Sequence, residues 1–300
     1  MRKFSIKIVV YISLILLLVL VLDGVYTLVY SNSHFRNKVQ FLLNEPPRHY
    51  DAIILGSSRA ENHIIPEMFQ KRGLRVYNYG ITGAHLCETS LMLDLFFERG
   101  NSADKILLQV DSYFNTENPS IGVEVLFLPY LPINKSIYNH YKDNTENSFA
   151  LAYFPFYRYC KLDSKIGFRE MMLTLVNKKS NSFSLDGFIP LDGNLSNGAK
   201  FELPENVKNR NKYYDKIVAI CKVKNVKLIS FMSPSCTNTD KLFFKKLKQQ
   251  VPELYDYSNF IKEDSLFATC GHLNKKGATV FTAMLLEKHF GNQPCQSSKL

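Results

Sequence analysis

The chain has 300 residues, 46% of them hydrophobic, and a formal charge of +10. The apolar share excludes a disordered or fibrous protein, and the length suits one sizeable domain with appendages. The six cysteines, Cys87, Cys160, Cys221, Cys236, Cys270 and Cys295, stand at no metal-ligand spacing and mark no zinc site. Their even number permits disulfides in an exported protein, but scatter this wide outlines no framework. The positive charge suits anionic surroundings such as phospholipid headgroups or acidic glycans. It is spread through lysine-rich helices, with no recognition helix or aromatic-basic motif, so nucleic acid is not an expected partner.

Residues 1–30 read as a signal anchor. Arg2, Lys3 and Lys7 lead into an apolar run from Ile8 to Leu22, which resumes after Asp23-Gly24 and reaches Tyr30. A bilayer-spanning helix needs about 20 such residues. The leading basic residues keep the amino end in the cytoplasm. No good small-x-small cleavage site and no lipobox cysteine follow, which favours an uncleaved anchor over a removed signal peptide. Either way the remainder is exported. Residues 31–48 are polar and mixed, with Pro46-Pro47, and read as a stalk lifting the domain off the membrane.

Residues 52–55 form a short apolar run that reads as a buried parallel strand, stopped at Gly56. Ser57 and Ser58 follow on a turn into a helix. A serine at the carboxyl end of a first strand faces the crevice where α/β folds do chemistry, so Ser58 is the candidate nucleophile. Helix capping is the competing use of either serine. Residues 64–72 read as a short helix closed by Gly73, and 74–79 as a second strand ending in Gly80-Ile81-Thr82-Gly83. Residues 85–99 pattern as an amphipathic helix started at His85, and 105–110 as a third strand.

Residues 115 to about 203 break this alternation and read as an insertion shaping a groove over the sheet edge. It is rich in Pro, Tyr, Phe, Asn and Ser, with a helical stretch at 165–176. Phe154, Phe156, Tyr157, Arg158 and Tyr159 are candidates for stacking on sugar rings, or for a small core under a long loop. A helix over 204–225, a fourth strand over 227–232, a helix over 240–250 and a short fifth strand over 254–257 restore the βαβ rhythm. His272 stands before a last helix over 279–290 and can swing over the same sheet edge to serve Ser58 as base. Cys270 nearby is incidental or a nucleophilic thiol. Residues 292–300 form a tail.

Three motifs in this order, IILGSSRAENHIIP from residue 53, VYNYGITGAH from 76 and GHLNKKGA from 271, resemble the SGNH (GDSL-type) hydrolases. The likeness is greatest to the membrane-anchored, envelope-facing branch, which includes polysaccharide O-acetylation proteins and the D-alanyl transfer protein of teichoic acid. It covers about 50–100, 105–114 and 227–290, and implies a three-layer, doubly wound, mostly parallel α/β sheet over 49–291. The implied catalytic pair is Ser58 and His272, with the N–H groups of Ser58 and Gly83 holding the oxyanion. The family's third donor, an Asn, falls here on Tyr113, so the Tyr113 hydroxyl or Asn115 are its substitutes, and Asp111 could face the cleft. The family's His-orienting Asp falls on Thr269, a hydroxyl without charge. Asp264, Glu263 or Asp256 could reach in from the preceding loop.

The resemblance implies ester hydrolysis or acyl transfer, of acetyl above all, on a cell-envelope glycan at the outer face of a bacterial cytoplasmic membrane. It implies no metal and no organic cofactor. The other expectation is a catalytically inactive protein of this fold that binds glycan or a membrane acyltransferase partner.

Overall fold

A computed structural model describes residues 2–180, 183, 185–195, 203–236 and 242–291. The tail 292–300 and insertion residues 196–202 lie outside the described residues. The chain divides into two units, Met1–Glu45 with Glu124–Lys179, and Pro46–Val123 with Ser180–Leu300.

The larger unit is built on five parallel strands: β1 (His49–Leu55), β2 (Val76–Asn78), β3 (Ser102–Gln109), β4 (Lys227–Met232) and β5 (Tyr255–Asp256), in the order β2-β1-β3-β4-β5. Ala52, Ile53 and Ile54 are fully buried, as expected of a parallel strand covered on both faces. Leu55 pairs with Leu108, and Gln109 with Phe231, so β1, β3 and β4 end level. β1 has β2 on one side and β3 on the other. The connections leaving β1 and β3 therefore part company, and a crevice opens at their carboxyl ends.

Short helices α3 (Ser58–Glu61) and α4 (Pro66–Gln70) follow β1, and α5 (Leu86–Glu98) follows β2. Ala52, Ile54, Leu107, Ile229 and Phe231 pack on one side with Phe69 of α4 and with Phe281 and Leu285 of the last helix. After β3 comes α6 (Ile121–Glu124), where the chain passes into the other unit.

Returning, the chain forms α12 (Lys212–Lys224), which pairs with α5 through Lys216 and Asp94. It then forms α13 (Leu242–Gln250), the antiparallel hairpin β6 (Phe267–Thr269) and β7 (His272–Leu273), and α14 (Lys275–Phe290). Two helix starts differ from expectation because the caps lie elsewhere. α12 begins at Lys212, where the Asn211 side chain accepts from the N–H groups of Tyr213 and Tyr214. α14 begins at Lys275, where Asn274 accepts from the N–H of Gly277.

The smaller unit is helical. α1 (Arg2–Asn32) runs unbroken through Asp23-Gly24. Its Lys3–Asn32 segment is long and apolar enough to cross a membrane. α2 (Lys38–Asn44) corrects the stalk expected over 31–48: Val39, Phe41, Leu42 and Leu43 are buried, and Asn37 caps the helix. Lys38 and Gln40 are buried with them, so the segment is enclosed within its unit and is not a solvated tether.

α7 (Lys135–Tyr141), α8 (Ser148–Tyr153), α9 (Tyr157–Lys161), α10 (Asp163–Ile166) and α11 (Phe168–Leu175) complete this unit. Gly167, in extended backbone, splits the helix expected over 165–176. Arg158 is fully buried and paired with Asp23 at 2.9 Å, and Tyr159 stacks on Tyr30 with centroids 5.9 Å apart. These two therefore build core and are not a platform for sugar rings. The insertion is also shorter than 115–203. From Ser180 the chain belongs to the sheet unit again, where Ile189 donates to the Glu61 carbonyl and Lys275 to that of Leu191.

Candidate active site

The site begins with the close approach of two strand ends. Gly56 has φ +140°, and a Cβ there would sit 2.8 Å from Gln109 Cβ, so the turn out of β1 admits only glycine. Gln109 fills that space. Its side-chain oxygen accepts from the Ser57 hydroxyl at 2.8 Å and from the Ser57 N–H at 3.2 Å. Ser57 is buried and is the N-cap of α3. The two serines thus divide the two roles weighed for them: Ser57 caps, and Ser58 points elsewhere.

The Ser58 hydroxyl lies 2.8 Å from His272 Nε2, across 214 positions of sequence. The other ring nitrogen, Nδ1, lies 3.1 Å from the Thr269 hydroxyl. One tautomer satisfies both contacts: Nδ1–H donates to Thr269 Oγ1, and Nε2 accepts from Ser58 Oγ–H. Burial holds the His272 pKa below its ordinary value of 6.5. The Arg59 charge adds to this, and Asp111 opposes it. The imidazole is therefore neutral at neutral pH, the form a general base needs.

Beneath Ser58 lies a buried polar network. Arg59, 2% exposed, donates to the carbonyls of Ser233 at 2.7 Å and Pro234 at 3.0 Å, and its guanidinium stands 3.9 Å from Asp111. Asp111 also accepts from Gln109 Nε2 and from the Tyr113 N–H, both at 2.9 Å. Asp111, which could face the cleft from its place at a strand end, faces this network instead, because a carboxylate between Arg59 and two neutral donors is better satisfied inside.

The histidine side has separate supports. Cys236 and Cys270 form a disulfide with Cα atoms 4.8 Å apart, which ties the loop after β4 to the β6–β7 hairpin. Cys270 is therefore no free thiol. His63 is fully buried, and its Nε2 accepts the Leu273 N–H at 3.0 Å, which makes it the neutral Nδ1–H tautomer. Burial, with the charges of Arg59 and His272, pushes its pKa well below 6.5.

The remaining expected residues separate. Gly83 has φ +81° and half-buried backbone, and its N–H donates to no group among the described residues. Ser58, as first residue of α3, has no intrahelical acceptor for its N–H. Neither N–H is committed to an acceptor in a hydrogen bond among the described residues. Tyr113 is half-buried, and burial together with Asp111 raises its pKa, so its hydroxyl stays protonated. Its ring lies 4.7 Å from that of His85, the N-cap of α5, whose Nδ1–H donates to the Asn118 carbonyl at 2.9 Å.

Asn115 does not serve as the third donor. Its amide donates to the Asn206 carbonyl at 2.6 Å and accepts from the Lys208 N–H at 2.9 Å, which consumes it in a loop. Nor do the carboxylates proposed to orient the imidazole reach it. Asp264 and Glu263 are exposed, Asp256 accepts from the Ser258 N–H, and Ser58 and Thr269 occupy both nitrogens of His272.

Sequence reasoning missed Arg59, Gln109, His63 and the Cys236–Cys270 bond. Arg59 and His63 lie in a polar stretch, 59–63, that reads as the start of a helix, so nothing local marked either as buried. Among the described residues no group of three or more His, Cys, Asp or Glu is placed to hold a metal ion. Comparison with protein-family models finds no match, and comparison with curated proteins finds none either.

Proposed function

We propose that this chain is a serine esterase or O-acyltransferase of the SGNH type, a three-layer, doubly wound domain acting on acyl esters of a cell-envelope glycan. The observation that carries the reading is the 2.8 Å contact between the Ser58 hydroxyl and His272 Nε2. Ser58 Oγ attacks the acyl carbonyl as His272 Nε2 takes its proton. The carbonyl oxygen gains charge and is received by the N–H groups of Ser58 and Gly83. The imidazolium then returns the proton to the leaving alkoxide, and the acyl group rests on Ser58 as an ester. Water or a glycan hydroxyl, deprotonated by His272, attacks that ester and restores the serine.

Thr269 does part of what a carboxylate does. It holds the tautomer by accepting from Nδ1–H, but it supplies no charge to stabilise the imidazolium. An SGNH-fold protein that binds glycan, or a membrane acyltransferase partner, without turnover is the second reading, favoured by that missing charge and by the commitment of Asn115 elsewhere.

Two features support a single-pass location in a bacterial cytoplasmic membrane with the sheet unit outside. α1 is long and apolar enough to span, and the basic residues at its amino end favour keeping that end in the cytoplasm. The Cys236–Cys270 bond suits an oxidising compartment. The resemblance to O-acetylation proteins supports acetyl as the acyl group.

The test is labelling of the full-length chain with a fluorophosphonate serine probe, alongside turnover of an acetyl ester. Labelling of the natural chain, lost in Ser58→Ala and in His272→Ala, supports catalysis. No labelling and no turnover in the natural chain leaves the binding reading. The variants should lose about 10⁴-fold or more in turnover, as enzymes do when nucleophile or base is removed.

A further inference from the structure

The helical unit carries apolar surface that its own core leaves uncovered. Phe149, Tyr153 and Phe154 are 61%, 53% and 57% exposed. They form one cluster, with the Phe149 ring 5.0 Å from Tyr153 and 6.3 Å from Phe154. On and just after α11, Phe168, Met172, Leu175 and Val176 recur at helical spacing and are all exposed, whereas Met171 and Thr174 are buried. An amphipathic helix ordinarily turns such a stripe toward a core. Uncovered apolar surface of this kind marks a place of interaction.

Its position along α1 says with what. The Phe156 N–H donates to Asp23 at 2.8 Å, and Arg158 pairs with the same carboxylate, so Phe154 lies two residues from a fixed point on α1. From Lys7 to Asp23, α1 supplies about 24 Å of helix at 1.5 Å per residue. That approaches the ~30 Å thickness of a hydrocarbon core. Asp23 therefore marks the outer boundary of the hydrocarbon, and the aromatic cluster falls at that level. Lys161, Lys165 and Arg169 are exposed along the same stretch of chain. Of its acidic residues, Glu170 is taken by Arg36, and Asp163 remains exposed. Aromatic residues beside basic ones suit the boundary between acyl chains and anionic headgroups.

We propose that this face of the helical unit lies in the headgroup boundary of the membrane that α1 crosses. The Phe149-Tyr153-Phe154 cluster inserts shallowly, and Lys161 and Lys165 meet anionic headgroups; α11 is carried farther out, where its Glu170 pairs with Arg36 beyond the end of α1. The inference rests on α1 spanning a membrane. It gives the unit a function of its own, a wedge that fixes the depth of the anchor.

The chain has no tryptophan, so single variants Leu14→Trp, Phe149→Trp and Phe154→Trp each report one position. Each full-length variant is placed singly in nanodiscs of phosphatidylglycerol and phosphatidylcholine bearing a nitroxide high or low on the acyl chain. F149W and F154W should be quenched severalfold more by the shallow nitroxide than by the deep one, and L14W should show the reverse. If L14W is quenched while either of the others stays as bright as in unlabelled lipid, the proposal is overturned, α1 still spans, and the face belongs to a protein partner. If L14W itself is unquenched, the span falls and the proposal with it.

Discussion

Ser58 leaves a strand buried on both faces, whereas His272 stands on a two-residue strand outside the main sheet. On the nucleophile side Ser57, Arg59, Gln109 and Asp111 are all buried and bonded to one another or to the loop after β4. On the base side Thr269 is exposed, and the hairpin is held by the Cys236–Cys270 bond, by His63 and by the start of α14. The nucleophile is placed by the same burial that makes the fold, while the base is placed by a few discrete ties. Changes on the first side should therefore cost stability, and changes on the second should cost chemistry in a fold that survives.

Arg59→Met tests the first half most severely. It leaves Asp111 buried without its cation, and loss of one partner of a buried pair costs about 3–5 kcal/mol. Denaturant unfolding of the detergent-solubilised full chain reads the loss. A variant as stable as the natural chain would erase the contrast. The double change Cys236→Ala/Cys270→Ala opens a loop with a sequence separation of 34. It should cost about 3 kcal/mol and lower ester turnover under conditions where the chain remains folded. Full turnover in that variant would show that the staple does not place the histidine.

Proton linkage separates the two sides further. Burial lowers the pKa values of His63 and His272 in the folded chain, so below pH 6.5 the unfolded chain binds protons that the folded chain excludes. Their contribution to stability is complete above that pH and is lost as the pH falls toward their folded values. His63→Gln, which keeps an acceptor for the Leu273 N–H, should flatten this dependence in acid unfolding curves, leaving the share of His272.

Thr269→Asp acts on the histidine alone. The acid limb of the pH–rate profile should lie below 6.5 in the natural chain, where His272 stays neutral. A carboxylate at 269 favours the imidazolium and should move that limb upward. An unmoved limb would mean that residue 269 does not orient the ring. Asn115→Ala should have the smallest effect, within about 0.5 kcal/mol in stability and with turnover unchanged, because its amide serves a surface loop. A large loss of turnover there would return Asn115 to the oxyanion hole.

Local pattern alone made the strand–turn–serine at 52–58, the glycine turn at 80–83 and the histidine before the last helix legible. These features depend on backbone freedom at glycine, on continuous apolar runs and on caps, all within a few residues. The apolar length of α1 was equally plain, because a span needs only composition and length. The alternation of strands and helices pointed to a parallel sheet, though not to where α12 and α14 begin.

Tertiary structure alone decided which serine caps and which meets His272, since both sit one residue apart with the same chemistry. It also decided that Asp111 turns inward, that Asn115 is spent in a loop and that Cys236 finds Cys270. The same holds for residues 38–44, which join a helical core although their local sequence reads as tether, and for 158–159, where the local sequence allows either sugar stacking or a small core and the structure selects core. In each case the outcome depends on which polar or apolar partner arrives from a distant part of the chain. Burial makes that choice binding, because an unpaired polar group inside costs far more than the same group in water.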